Sequence, residues 1–194
     1  MESDGTLIER SVRGRADAFV EVVRRHEVAV HAYLTRRADR DAAGDLLGEV
    51  WVRAFAARGG YDPARADSLP WLYGIARNVL REHWRSQQAR GREMADGIDD
   101  PWDEVIERLD AVAWAKTLIG MLRTLPAGER EVLLLVAWEQ LTPAEAAAAL
   151  GIPQGTVRAR LHRARAAMRL ALARDEGKEE PWPPRKPGTV TRIG

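Results

Sequence analysis

Residues 141–165 read LTPAEAAAALGIPQGTVRARLHRAR, and the fold class follows from this stretch. Thr142-Pro143-Ala144-Glu145 is a capping box with proline at the first helical position: the hydroxyl accepts the third amide and the carboxylate reaches back. The helix it starts is short and stops at Leu150-Gly151. A second begins at Pro153 or Gln154 and runs to about Arg174. Helices over 143–150 and 154–165, joined by about three residues including Gly151, have the spacing of a helix-turn-helix. In the second helix Val157, Leu161 and Ala164 share one side. Gly155, Arg158, Ala159, His162 and Ala166 take the other, flanked by Arg160, Arg163 and Arg165. From Pro153 to Arg174 there are six arginines and no acid. Such a helix repels itself, at about 0.2–0.5 kcal/mol per like-charged pair one turn apart. Phosphates remove that penalty and release counterions. Gly155 and Ala159 are small enough to let the backbone sit deep in a major groove, where Arg158 and His162 reach base edges. The coincidence of capping box, glycine turn and charge bias predicts DNA binding.

Working outward, the same 3.6-residue period recurs on both sides. Upstream lie a helix over about Glu129 to Trp138 and, before Pro126, a longer one from about Trp102 to Leu122 carried by Val105, Ile106, Leu109, Val112 and Ala113. Residues 90–101 place Gly91, Gly97 and Pro101 among acids and read as a linker. In the first half, Phe19, Val23, Val30, Tyr33 and Leu34 form one stripe, which the RRADRD stretch from Arg36 breaks. Leu47, Val50, Trp51, Ala54 and Phe55 form a second, ended by Gly59-Gly60. Residues 61–70, YDPARADSLP, read as a loop, and a third helix runs from about Trp71 to about Ala89 with Leu72, Ile75, Ala76 and Val79 inward. No segment alternates with period two. The expectation is an all-α chain of two small helical domains: 8–89, an acidic linker over 90–110, a helix-turn-helix domain over 111–174, and a Pro- and charge-rich tail over 175–194, disordered in isolation.

The charges divide along the same boundaries. The 194 residues hold 30 basic and 29 acidic groups, a net +1, yet residues 89–110 carry −5 and residues 111–174 carry +5. Acid between two more basic units implies an anionic partner for one segment and a cationic partner for another. Cysteine is absent, which excludes disulfides and thiolate catalysis and fits a reducing cytoplasm. The start MESDGTLIER lacks the apolar run of a signal peptide, and no stretch reaches the ~20 apolar residues of a membrane span. The four histidines do not make a metal site: His26 and His31, five apart, do not share a helix face, and His83 and His162 fall in different domains. No phosphate loop or nucleophile motif is present, so neither catalysis nor a cofactor is expected.

Two features of the first domain stand out. Arg77, Arg81 and Arg85 recur every fourth residue as a cationic ridge opposite Ile75 and Val79, with Asn78, Trp84 and Gln88 nearby and Glu82 placed to neutralise Arg85. Arginines beside an aromatic suit single-stranded or distorted DNA. Asp45 and Glu49, one turn apart, make an acidic edge beside Leu47, Val50 and Trp51.

In this order and spacing, DLLGEVWVRAF, WLYGIARNVLREHWR and the long stretch from Leu125 to Met168 resemble the extracytoplasmic-function (ECF) sigma factors, short specificity subunits of bacterial RNA polymerase. The resemblance covers about residues 8–173. It implies that Asp45, Leu46, Gly48, Glu49, Trp51 and Val52 dock on core RNA polymerase, through its β′ subunit with β as neighbour. It implies that Tyr61, Asp62, Ser68, Trp71, Arg77, Asn78, Arg81, Trp84 and Arg85 melt and hold the −10 element, with one base flipped into a pocket. It implies that Gln154, Gly155, Thr156, Arg158, Ala159, Arg160, His162, Arg163 and Arg165 read the −35 element of promoter DNA. The acidic linker would thread a positive channel of polymerase, and an anti-sigma factor would hold the chain inactive. Gly44, Gly48, Ser68, Ala146 and Ala149 depart from the family's usual residues. A response-regulator output protein shares a similar helix-turn-helix but needs an α/β receiver, and residues 1–90 show no strand pattern. An adaptor that binds polymerase without reading DNA needs no Arg-rich helix.

Overall fold

The computed structural model describes residues 2–65, 67–91 and 113–176. Among the described residues there are eight α-helices, one 3-10 turn and no strand. The acidic segment 92–112, with the helix expected from Trp102, and the tail beyond 176 lie outside the described residues.

Four helices form the first half: α1 (Asp4–Val12), α2 (Asp17–Thr35), α3 (Arg40–Ala57) and α4 (Leu69–Gly91), with the 3-10 turn Arg58–Gly60 after α3. The expected stripes turn inward on Phe19, Val30, Leu34, Val50, Ala54, Leu72 and Val79, all buried. The ring of Phe19 meets Phe55 edge-on at 5.5 Å. Helix α1 is an addition to the expected domain, which starts at residue 8. Ser3 caps it, its Oγ accepting the Thr6 amide at 3.2 Å. It has only nine residues, and its inward face mixes Leu7 and Ile8 with Asp4, Gly5 and Ser11, so it carries little apolar periodicity.

The second half comprises α5 (Ala113–Arg123), α6 (Ala127–Ala137), α7 (Pro143–Leu150) and α8 (Gln154–Glu176). The capping box of α7 forms as expected: the Glu145 amide donates to Thr142 Oγ1 at 3.3 Å and the Thr142 amide donates to Glu145 Oε2 at 2.7 Å. Gly151 ends α7 at φ 65°, in the left-handed region where glycine pays no Cβ penalty. Ile119, Leu122, Leu125, Leu134 and Ala164 pack as a small core of this half.

The halves do not stand apart. A continuous apolar core runs from Leu72, Tyr73 and Ala76 of α4 into Val132, Leu135, Ala146 and Ala149 of α6 and α7. A Cβ on Gly74 would lie 2.9 Å from the Ala149 carbonyl oxygen, so α4 and α7 approach backbone to backbone. Ala146 and Ala149 are both buried at this junction. The break after α2 supplies the second tie. Arg37 and Glu139 are both buried, with Arg37 Nη1 donating to Glu139 Oε1 at 2.9 Å and Arg36 Nη2 donating to Oε2 at 2.5 Å. The Arg37 guanidinium also lies 3.7 Å from the Tyr33 ring centroid and donates to the Tyr33 carbonyl at 3.0 Å. Burial pushes the Tyr33 phenol up to about 12. A buried ion pair persists only with such surrounding hydrogen bonds, and removing one partner of such a pair typically costs about 3–5 kcal/mol.

Candidate nucleic-acid interface

Helix α8 divides as its sequence predicts. Val157, Leu161 and Ala164 are buried, while Gly155, Arg158, Ala159, His162 and Arg165 are exposed on one outward face. Gln154, Thr156 and Arg160 are half-buried at its margin. Two flanking arginines lean on α6: Arg163 Nε donates to Glu129 Oε1 at 2.6 Å, and Arg160 covers Gly128, where a Cβ would come within 3.0 Å of its Nη1. A Cβ on Gly155 would meet nothing within 4 Å, so that position opens directly to an incoming partner. The face is cationic, smooth at its centre, and backed by a packed core.

The second cationic surface is built on the loop 61–68 and α4, and here the side chains sort differently from the expectation. Tyr61 is buried, its ring 5.1 Å from that of Trp71 and its hydroxyl donating to the Arg65 and Asp67 carbonyls at 3.0 and 3.1 Å. Ser68 is fully buried, its amide and hydroxyl donating to Asp4 at 3.0 and 2.9 Å. Both therefore lie beneath the loop surface and are tied to its backbone or to Asp4. A polar loop gives no periodicity from which that inward turn is legible. The outward charged residues are Asp62, whose Oδ1 accepts the Ala64 amide at 3.0 Å, Arg65 and Asp67. Arg65, which the sequence pattern leaves unmarked, joins Trp71, Arg77 and Asn78 around a pocket facing residues 148–150 of α7 and its terminal Gly151.

The ridge on α4 is split. Arg77 is half-buried and forms a two-point pair with Glu131 of α6, Nη2 donating to Oε2 at 3.1 Å. Arg81 and Arg85 are exposed, and Arg85 Nε donates to the Arg81 carbonyl at 3.2 Å. Glu82 pairs with Arg53 of α3, which holds its carboxyl below the usual range, and the charge of Arg85, the partner expected on its own helix, acts in the same direction. Trp84 packs half-buried against the core, and Asn78 is exposed.

On α3, Asp45, Gly48, Glu49 and Val52 are exposed, Val52 at 70%, and Trp51 is half-buried. Leu46 departs from its expected place: at 5% exposure it faces the core. The edge is thus acid at Asp45 and Glu49 with an apolar centre at Val52. Glu49 also accepts from Arg53 at 2.5 Å, which ties this edge to Glu82 on α4. No helix among the described residues is long and apolar enough to cross a membrane.

Residues 22–90 match the Sigma-70 region 2 family, and residues 116–168 match Sigma-70 region 4. The RNA polymerase sigma factor CnrH of Cupriavidus metallidurans is 32% identical, over 91% of this chain and 98% of its own. The chain belongs to the ECF sigma factors. Another such relative, SigC of Mycobacterium tuberculosis, is 34% identical over 80% of this chain and 82% of its own. The structure of CnrH in complex with the cytosolic domain of CnrY is similar at TM-score 0.62 and 28% identity, covering 89% of this chain and 98% of that one. As an ECF sigma factor, the protein is a transcription initiation factor that gives RNA polymerase its promoter specificity. Region 2 holds the loop and α4, and region 4 holds the helix-turn-helix of α7 and α8.

Proposed function

We propose that this sigma factor reads a −35 element with the outward face of α8 and a −10 element with the 61–68 loop and α4, helping polymerase to melt DNA at the second. The observation that carries the reading is the division of α8: Arg158 and His162 stand outward beside Gly155 and Ala159, directly opposite the buried Val157, Leu161 and Ala164. That geometry lets arginine reach a guanine edge while the helix lies close to the groove floor.

At the −10 element, Arg65, Asn78, Arg81 and Arg85 supply cations and a hydrogen-bonding amide around the half-buried Trp71 and Trp84, a combination suited to phosphate and to an unstacked base. Tyr61 and Ser68 shape the loop, and Asp62 and Asp67 stay exposed on it. Arg77 joins this surface when its Glu131 partner gives way to a phosphate. The Asp45, Glu49 and Val52 edge of α3 docks on the β′ subunit, with Trp51 and the open Gly48 allowing close approach. The acidic residues 90–110, at −5 within 89–110, lie along a positive channel of the polymerase. An anti-sigma factor is the expected negative regulator, in line with CnrH having been captured with the cytosolic domain of CnrY. The protein works in the cytoplasm, without metal or cofactor, and performs no chemistry itself.

Adding the protein to core polymerase starts transcription from selected promoters. Charge reversal at Asp45 and Glu49 abolishes core binding while circular dichroism shows the helical fold intact. Unchanged core affinity in that variant would remove the docking assignment.

A further inference from the structure

We infer that Asp4 is a positioning residue for −10 recognition: with Gly5 beside it, α1 sets the shape of the 61–68 loop without touching DNA. The inference rests on the reading that this loop receives the −10 element. Asp4 is 5% exposed, and a carboxylate so buried is stable only when its oxygens are fully engaged. Its Oδ2 accepts from the Ser68 amide at 3.0 Å and the Ser68 hydroxyl at 2.9 Å, and lies 2.5 Å from His26 Nε2. Its Oδ1 accepts from Arg25 Nη1 at 3.0 Å. One side chain of α1 thus binds α2 to the residue from which α4 departs, since the Ser68 carbonyl accepts the Leu72 amide at 2.9 Å. Asp4, His26 and Asp67 bring donor atoms within 4.8 Å of one another, but Arg25 supplies the positive charge there, so the cluster is an ion-pair network.

Gly5 makes the second anchor. A Cβ there would stand 2.2 Å from the Pro63 carbonyl oxygen and 3.0 Å from that of Arg65, both backbone atoms. Only glycine lets α1 lie flat against the loop. The Tyr61 hydroxyl makes the third, donating to the Arg65 and Asp67 carbonyls from within. Among the described loop residues, the backbone is therefore bonded at Arg65, Asp67 and Ser68 and packed against α1 at Pro63, while the side chains of Asp62, Arg65 and Asp67 remain exposed. A loop so held meets its ligand already ordered, and the ordering cost is not charged to binding. Releasing it should cost selectivity at the base the loop receives and leave the remote α8 face unchanged.

The test uses the full chain with core polymerase on three templates: a promoter the protein uses, the same promoter substituted in its −10 element, and the same substituted in its −35 element. Each variant yields two transcription ratios. Asp4→Ala should lower the −10 ratio about fivefold, the ~1 kcal/mol of one net hydrogen bond at 1.4 kcal/mol per factor of ten. Gly5→Ala, whose Cβ would push α1 off the loop backbone, should lower it too, with the −35 ratio and core affinity unchanged in both. Asp4→Asn, which keeps an oxygen for the Ser68 amide, should recover most of the −10 ratio. Ser68→Ala removes only the hydroxyl link and should lower the −10 ratio by about two- to threefold, so the expectation survives if Asp4→Ala does not fold. Variants that keep the −10 ratio, or lose both ratios together, would overturn the inference. A wild-type protein that selects promoters yet shows no −10 preference would instead overturn the loop's role as reader, and the positioning role with it.

Discussion

Asp4 shows how much one residue can hold. Burial pushes its carboxyl up, but the hydrogen bonds from Ser68 and His26 outweigh that and hold it below its ordinary value of 3.8. A depressed carboxylate stabilises the fold above its unfolded value, and the contribution is lost as pH falls through the folded one. Thermal melts from about pH 5 down to about pH 2 should therefore show an acid loss of stability that is shallower in Asp4→Asn. An identical acid limb in both proteins would remove the carboxylate from this account. Such residues were illegible in the sequence for a physical reason. Periodicity reports which apolar residues face inward, and it succeeded for Val157, Leu161 and Ala164. It is silent on a serine or an aspartate whose burial depends on partners far away, as with Ser68 and Asp4, 64 positions apart. Leu46, a docking residue by the family resemblance alone, is 5% exposed because its helix phase turns it to the core.

At the scale of elements, strong local signals were read correctly and weak ones were not. Helix α7 combines a capping box, a proline and a terminal glycine, so local sequence alone sets both of its ends. Helix α1 has two aliphatic residues facing in and was missed. Helix α3 carries a cost of its own. Gly44 and Gly48 sit within it, both exposed, and a Cβ on either meets nothing within 4 Å. Alanine at either position should raise stability by about 1 kcal/mol, measured by denaturant titration, since only backbone entropy changes. A fall in stability would mean that these glycines serve a contact on this surface. If Gly48→Ala gains stability but weakens core binding, close approach of polymerase is the reason it is glycine.

At the scale of the molecule, the two helical halves share a core, and two ion-pair groups bridge them. Arg77–Glu131 concerns DNA directly, because it occupies one cation of the α4 ridge with a carboxylate. Glu131→Gln should release Arg77, strengthen binding to duplex DNA at low salt and steepen the dependence of log K on log salt by about 0.9, the counterion release of one added phosphate contact. Fluorescence anisotropy across a salt series reads this slope, and an unchanged slope would mean that Arg77 does not reach phosphate once freed. The sequence carried the charges of both partners but not their meeting, which depends on how α4 packs against α6 and α7. Gly74 makes that packing possible: a Cβ there would stand 2.9 Å from the Ala149 carbonyl oxygen.

Run-off transcription by core polymerase over a promoter library randomised at both elements should yield two separated sequence preferences that depend on this protein, with Arg158→Ala losing discrimination only at the upstream one, by about 1–3 kcal/mol. Transcripts without any preference at the upstream element, or an Arg158→Ala loss spread equally over every sequence, would contradict the reading of the upstream element by α8.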